Sequence, residues 1–421
     1  MKLGKAVTLI RGNTYKSSLL SETEGPVLLG LGSIEKDGGF KRGSWKHYPG
    51  ESSSDILLHP GDLYVSLKDL TQSCNLLGAV SRVPVDIKEG RLTQDTVRLK
   101  FSPSIDTIDK LYIYWSLRTP QYRAYCKARG TGTTNMSLSR ADFLDWEIPD
   151  KTEMKTNLVI LLEGIEAKIE LNNQVNDYLA AFADALFDNA LKDTNDWTRA
   201  TLLDIANYKN GLAMQKFRPE GDDPGLPVLK IKELSQGACE ADAERCRSDI
   251  DESVRIHDGD LVFSWSGTLL LDFWTGGDAG LNQHLFKVTS DKYPSWFFYM
   301  WTKYYMRKFI ALAKDRATTM GHIKRSALGE ARVLIPPNGT LDKLSDQMQP
   351  VIDQMIGLKV ETRKLGELRD ALLPKLMSGE IDVSSVDVTQ LNNHLACQWR
   401  ALIFPSCPFK RTLLACLLSI I

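Results

Sequence analysis

The chain lacks the loops on which cofactor and nucleotide chemistry is usually built. It has no glycine-rich turn for S-adenosylmethionine, no Gly-x-x-x-x-Gly-Lys phosphate loop and no Asn-Pro-Pro-aromatic motif of an amino-methyltransferase. Cysteine is scarce and unpatterned: Cys74, Cys126, Cys239, Cys246, Cys397, Cys407 and Cys416 include no Cys-x-x-Cys pair, which argues against a zinc site and a disulfide framework. No catalytic residue, cofactor or metal is expected, and a reducing cytoplasm is the expected compartment. Long apolar runs are missing too. The run at residues 6–10 stops at Arg11-Gly12-Asn13, unlike a signal peptide, and the one at residues 417–421 is far shorter than the ~20 residues of a membrane span.

Acidic residues are also absent where it matters. Residues 111–141 hold none, yet contain Arg118, Arg123, Lys127, Arg129 and Arg140. Residues 292–329 carry Lys303, Arg307, Lys308, Lys314, Arg316, Lys324 and Arg325 against the single Asp315. Both windows are rich in aromatics, so packed helices with phosphate-binding faces are expected, although the net charge of −1 excludes a protein coated in positive charge.

The windows recur because the chain recurs. Pro26-Val27-Leu28-Leu29, His59-Pro60-Gly61-Asp62-Leu63, Leu92-Thr93-Gln94, Gly132-Thr133-Thr134 and Ile148-Pro149 are answered in order. The second set is Pro227-Val228-Leu229-Lys230, His257-Asp258-Gly259-Asp260-Leu261, Leu281-Asn282-Gln283, Ala317-Thr318-Thr319 and Ile335-Pro336. Repeats this long are whole domains rather than turns of a solenoid, and 421 residues suit two of them. Each reads as mixed α/β with short strands, the Gly-Asp pair building a tight turn at a strand start.

A helical period follows each copy. Over residues 157–187 a heptad frame passes through Leu158, Leu162, Ile165, Ile169, Asn172, Asn176, Leu179, Ala183 and Leu186. The second runs through Leu341, Leu344, Met348, Val351, Met355, Leu358, Thr362, Leu365, Arg369 and Leu372. Such seams predict two long helices paired as an antiparallel coiled coil, a rod with a domain at each end. Pro350 is expected to kink the second helix or mark its start. Pro149-Asp150 with Glu153 and Lys155 resembles a nuclease motif, but its place predicts a helix start with acidic residues near the dipole.

These residues resemble a known family, the specificity subunits of type I restriction-modification systems. The stretch Lys168-Ile169-Glu170-Leu171-Asn172-Asn173-Gln174-Val175-Asn176 is similar to that family's central spacer helix. Leu368-Arg369-Asp370-Ala371-Leu372-Leu373-Pro374-Lys375-Leu376-Met377-Ser378-Gly379-Glu380-Ile381 is similar to its C-terminal ending. The resemblance covers roughly residues 1–385 and implies an α+β protein. Two tandem mixed α/β target-recognition domains, at 1–150 and 196–338, would be separated by two long helices, at 151–195 and 339–382, forming the antiparallel coiled coil.

The resemblance further implies a non-catalytic subunit that binds double-stranded DNA at a bipartite target and assembles with two modification (methyltransferase) subunits and restriction subunits. Glu166, Lys168, Glu170, Asn173, Lys359, Arg363 and Glu367 are then the partner-binding candidates on the helices. Alternatives are a DNA methyltransferase or nuclease, or a coiled-coil adaptor that does not bind DNA. Residues 383–421 depart from the family pattern and are expected to form an atypical tail. A helix over residues 157–187 would be roughly 46 Å long, spanning about 13 base pairs at ~3.4 Å each.

Overall fold

The computed structural model describes residues 1–43, 45–133, 135–315, 323 and 325–378. These fall into two mixed α/β units, 1–167 with 367–378 and Lys168–Gly366, the division lying inside two long helices, Glu153–Ala190 and Asn338–Leu372. The expected tail, the Gly379-Glu380-Ile381 end of the C-terminal motif, Thr134, Thr318 and Thr319 lie outside the described residues. Among the described residues no helix is long and apolar enough to cross a membrane.

In the first unit the strands Val7–Arg11, Thr96–Phe101, Leu63–Ser66 and Val80–Arg82 form an antiparallel sheet in that order. Leu63–Ser66 is buried throughout. Strand alternation sends Leu63 and Val65 into a core shared with the helices Thr107–Ser116 and Pro120–Arg129, while Tyr64 enters a second core. That second core underlies the sheet Val27–Leu29, Gly90–Leu92 and Leu57–Leu58, whose first pair is parallel. The preceding turn bends at Gly61, whose φ of +88° favours glycine, and Asp62 secures it by accepting the His59 N–H at 2.9 Å and pairing with Arg98 at 3.0 Å.

The second unit repeats this plan. Its antiparallel sheet orders Asn207–Asn210, Leu285–Thr289, Leu261–Ser264 and Leu271–Phe273, and Leu261 and Phe263 enter one core while Val262 enters another. The other sheet again holds a parallel pair, Leu226–Leu229 with Ala279–Leu281. Asp260 accepts the His257 N–H at 2.8 Å and pairs with Lys287 at 2.9 Å, so in both copies the Gly-Asp aspartate is a turn lock. Hydrogen bonds to the carboxylates of Asp278 and Glu252 hold the half-buried His257 ring above its ordinary pKa. The register refines the repeat: Leu29 pairs with Leu92 and Leu229 with Leu281, so Leu229 matches Leu29 rather than Leu28.

The central helix has 38 residues, beginning at Glu153 because the Thr152 hydroxyl accepts the Lys155 N–H at 3.3 Å. In the first unit its Leu158 and Leu162 share a core with Leu373 and Leu376, and Glu166 meets Arg369 at 3.0 Å. In the second unit Asn172 donates to Glu361 at 2.8 Å, and Ala183 and Phe187 pack with Met348, Ile352 and Met355. Within each unit, rising numbers in one helical segment therefore meet falling numbers in the other, an antiparallel pairing.

Asn172 and Asn176 are buried in this packing. Of the two expectations for Pro350, the structure excludes a helix start, for Asn338–Leu372 runs through it. The missing hydrogen bond and ring clash cost on the order of 3 kcal/mol, offset by burial of Met348, Ile352, Met355 and Leu358, while the proline itself is exposed.

A charged cluster ties helix to domain in the first unit. The buried Glu163 carboxylate accepts two hydrogen bonds from Arg82, both at 2.9 Å, and one from the Trp115 indole at 2.6 Å. Burial alone would push the neighbouring Glu166 carboxyl up, but Arg118 and Arg369 outweigh it and hold the group below the usual range. Stability from such a depressed carboxyl is present above the ordinary pKa and is lost as pH falls through the lowered one. Glu166→Gln removes the carboxylate that Arg118 and Arg369 share and is expected to cost about 3 kcal/mol at pH 7. Thermal melts of the full chain should show the gap from the parent narrowing below about pH 4.

Candidate nucleic-acid interface

The basic windows separate into interior and surface residues. Arg118 is buried, donates to the Tyr114 hydroxyl at 3.1 Å, and lies 4.7 Å over the Trp115 ring. Arg123 is buried as well. It donates to the Leu77, Cys74 and Asn75 carbonyls at 2.6, 3.0 and 2.9 Å, and to Asp37 at 3.1 Å. Asp37 and Cys74 have φ of +61° and +56°, so this guanidinium clamps the two left-handed non-glycine residues of its own loops. Neither arginine has a free head to offer a phosphate, which corrects their placement among the DNA-binding candidates.

Lys127, Arg129 and Arg140 are exposed, Arg129 lying 3.8 Å over the Tyr125 ring and 3.8 Å from Asp142. They belong to the end of Pro120–Arg129 and the start of Arg140–Leu144. In the second unit Arg307 and Lys308 are exposed on Ser295–Asp315 beside the 57% exposed Tyr304, and Arg325 is exposed where Arg325–Glu330 begins. Lys303 is half-buried and pairs with Asp184 at 2.6 Å, so it serves the helix packing. The Lys314 side chain, Arg316 and Lys324 lie outside the described residues.

The helix candidates divide similarly. Glu166 is committed to Arg118 and Arg369, Lys359 reaches Asp272 at 2.6 Å, and Arg363 reaches Asp258 at 2.7 Å. These three brace a helix against its domain, which corrects their placement among the partner-binding candidates. Lys168 and Glu367 are exposed, Lys168 pairing with Glu361 at 3.3 Å, and Glu170 and Asn173 are half-buried. Two residues absent from the sequence expectation stand out: Tyr178 is 73% and Phe182 52% exposed, one turn apart on the central helix. Their signal was available, since both are large aromatics lying outside the heptad frame.

Among the described residues no group of three or more His, Cys, Asp or Glu is placed to hold a metal, and Cys74, Cys126, Cys239 and Cys246 are free thiols. Burial pushes the Cys126 thiol up to about 11, which keeps it protonated and unreactive at neutral pH.

No family model matches the chain. In sequence it is 23% identical over 315 residues to the type I restriction enzyme MjaIX specificity subunit of Methanocaldococcus jannaschii, the match covering 67% of this chain and 71% of that one. It is 22% identical over 206 residues to the type I restriction enzyme EcoBI specificity subunit of Escherichia coli, covering 47% of this chain and 42% of that one. In fold it is similar to the S subunit of a type I restriction-modification system from M. genitalium, with a TM-score of 0.50 at 16% identity, covering 89% of this chain and 95% of that one. Two proteins similar to the chain in sequence and a third similar to it in fold are thus specificity subunits of type I restriction-modification systems.

Proposed function

We propose that this chain recognises a DNA target in two parts, one read by each unit, and holds the modification and restriction subunits of a type I complex without performing their chemistry. The observation that carries the reading is that one fold is built twice in a single chain, each copy joined to segments of the same two helices. A duplicated reader whose copies have diverged suits a target of two unlike half-sequences separated by unread bases.

Phosphate contacts would position each unit on the duplex and base contacts would supply specificity. Lys127, Arg129 and Arg140, with Arg307, Lys308 and Arg325, are exposed cations of the two windows and the proposed phosphate ligands. Alanine at Lys127 with Arg140, or at Arg307 with Lys308, is expected to weaken binding to all sequences. The logarithmic salt dependence should flatten by about 0.9 for each phosphate that the variant no longer neutralises. Arg123→Ala should instead lower the melting temperature and leave that slope alone. Unchanged slopes in every surface variant would remove the assignment.

The long helices would pair as one antiparallel coiled coil and carry the methyltransferase partners, Tyr178 and Phe182 supplying the apolar anchors and Lys168, Glu170, Asn173 and Glu367 their polar surroundings. Tyr178→Glu with Phe182→Glu is expected to abolish co-purification with the methyltransferase subunit at an unaltered melting temperature. Full retention of the assembly would count against the helix platform.

The same helices would set the unread gap. Adding one heptad to each long helix, which keeps the seam matched, lengthens them by about 10 Å, or roughly three base pairs. Mapping the methylated sites of that variant should show both half-sequences unchanged and the gap wider; altered half-sequences with an unaltered gap would refute the ruler.

A further inference from the structure

Each unit has a groove of mixed polar and apolar lining beside its parallel strand pair. In the first, of about 370 Å³, the lining includes the residues that follow Leu29 and Leu92. In the second, of about 360 Å³, it includes those that follow Leu229 and Leu281. Hydrogen bonds put the two grooves in register. Thr93 N–H donates to the Leu29 carbonyl at 3.2 Å and Asn282 N–H to the Leu229 carbonyl at 3.1 Å. On the far strand Leu28 N–H donates to Lys46 and Val228 N–H to Glu244, at 2.9 and 2.7 Å.

The backbone packed against these strands matches as well. A Cβ on Gly12 would fall 2.1 Å from the Thr93 carbonyl oxygen, and one on Gly211 would fall 2.3 Å from that of Asn282, so both sites require glycine. The two grooves are thus one backbone frame made twice.

What fills the frame differs. By this register Gly30 faces the role of Lys230, Gly32 that of Lys232, Lys46 that of Glu244, Thr93 that of Asn282 and Asp95 that of His284. One polar position is kept, Gln94 matching Gln283. Gln94 is exposed, and the buried Gln283 Oε1 accepts no hydrogen bond from the chain.

We infer that these grooves are the base-reading sites, each unit presenting its own donors and acceptors to its own half of the target from a common frame. The inference rests on the DNA-recognition reading above. Its chemistry is that of groove edges: a carboxylate accepts from cytosine N4, a lysine donates to guanine O6 and N7, and a carboxamide pairs with adenine N6 and N7. Replacing a lysine by a glutamate or a threonine by an asparagine at a fixed backbone position exchanges one such preference for another. Lys230 with Glu244 at 2.6 Å, Lys232 with Glu240 at 2.7 Å and Lys68 with Asp95 at 3.0 Å are internal pairs that hold these heads in place, exposed enough to exchange partner for a base edge. The shared glutamines occupy the same position of the frame in both units and do not distinguish the halves.

The test is selection of bound duplexes from a randomised library, using the full chain assembled with its methyltransferase subunit. Asp95→Asn and Lys46→Ala should relax or change base preference in one half-sequence only, by about ten-fold or more at the affected position. Glu244→Gln and His284→Ala should do so in the other half only. The near-isosteric changes keep volume, and a parental melting temperature identifies folded variants. Folded variants that select both parental half-sequences would overturn the grooves as readers while leaving the DNA-recognition reading intact. A parent chain that selects no sequence would overturn that reading and the grooves with it.

Discussion

One strand in each unit is buried on both faces, and the rest of the unit is arranged by that constraint. Leu63–Ser66 and Leu261–Ser264 have no side that meets water. Apolar side chains must therefore be covered from two directions, which requires two cores and two layers around a single strand. The helices close one core and the sheet with the parallel pair closes the other. The Gly-Asp turn that launches the strand fixes its register, and a slip of one residue would exchange the contents of both cores.

Much of this was legible in the sequence. The repeated order of short motifs marks the sheets, because turn and strand residues obey local rules that survive divergence. The heptad frame marks the helices, since no frame residue from Leu158 to Leu186 is exposed. The aspartates of the turns were also readable as structural, from the glycine before each.

The candidate surface was harder to read, for a reason that Arg123 makes plain. A sequence window shows where positive charge sits along the chain but not which carbonyls wait on a distant loop, and Arg123 spends its head on Cys74, Asn75 and Leu77. Arg118 and Glu166 are likewise matched only by folding. Pro350 does not start the second helix because local propensity competes with tertiary burial, and here burial of the neighbouring Met348 and Ile352 prevails. The match of Leu29 to Leu229 depends on hydrogen-bond register, which repeated Pro-Val pairs conceal.

The first unit takes Leu373 and Leu376 into the same core as Leu3 and Val7. On a ribosome, residues from the start of the chain would wait for that core to close until almost all the described sequence had been made, whereas every segment of the second unit lies between Lys168 and Gly366. The order of completion would thus invert the order of synthesis: the unit begun second is the first that has all its parts. During that interval the apolar face formed by Leu158 and Leu162 lacks the cover that Leu373 and Leu376 supply, and faster chain growth shortens its exposure.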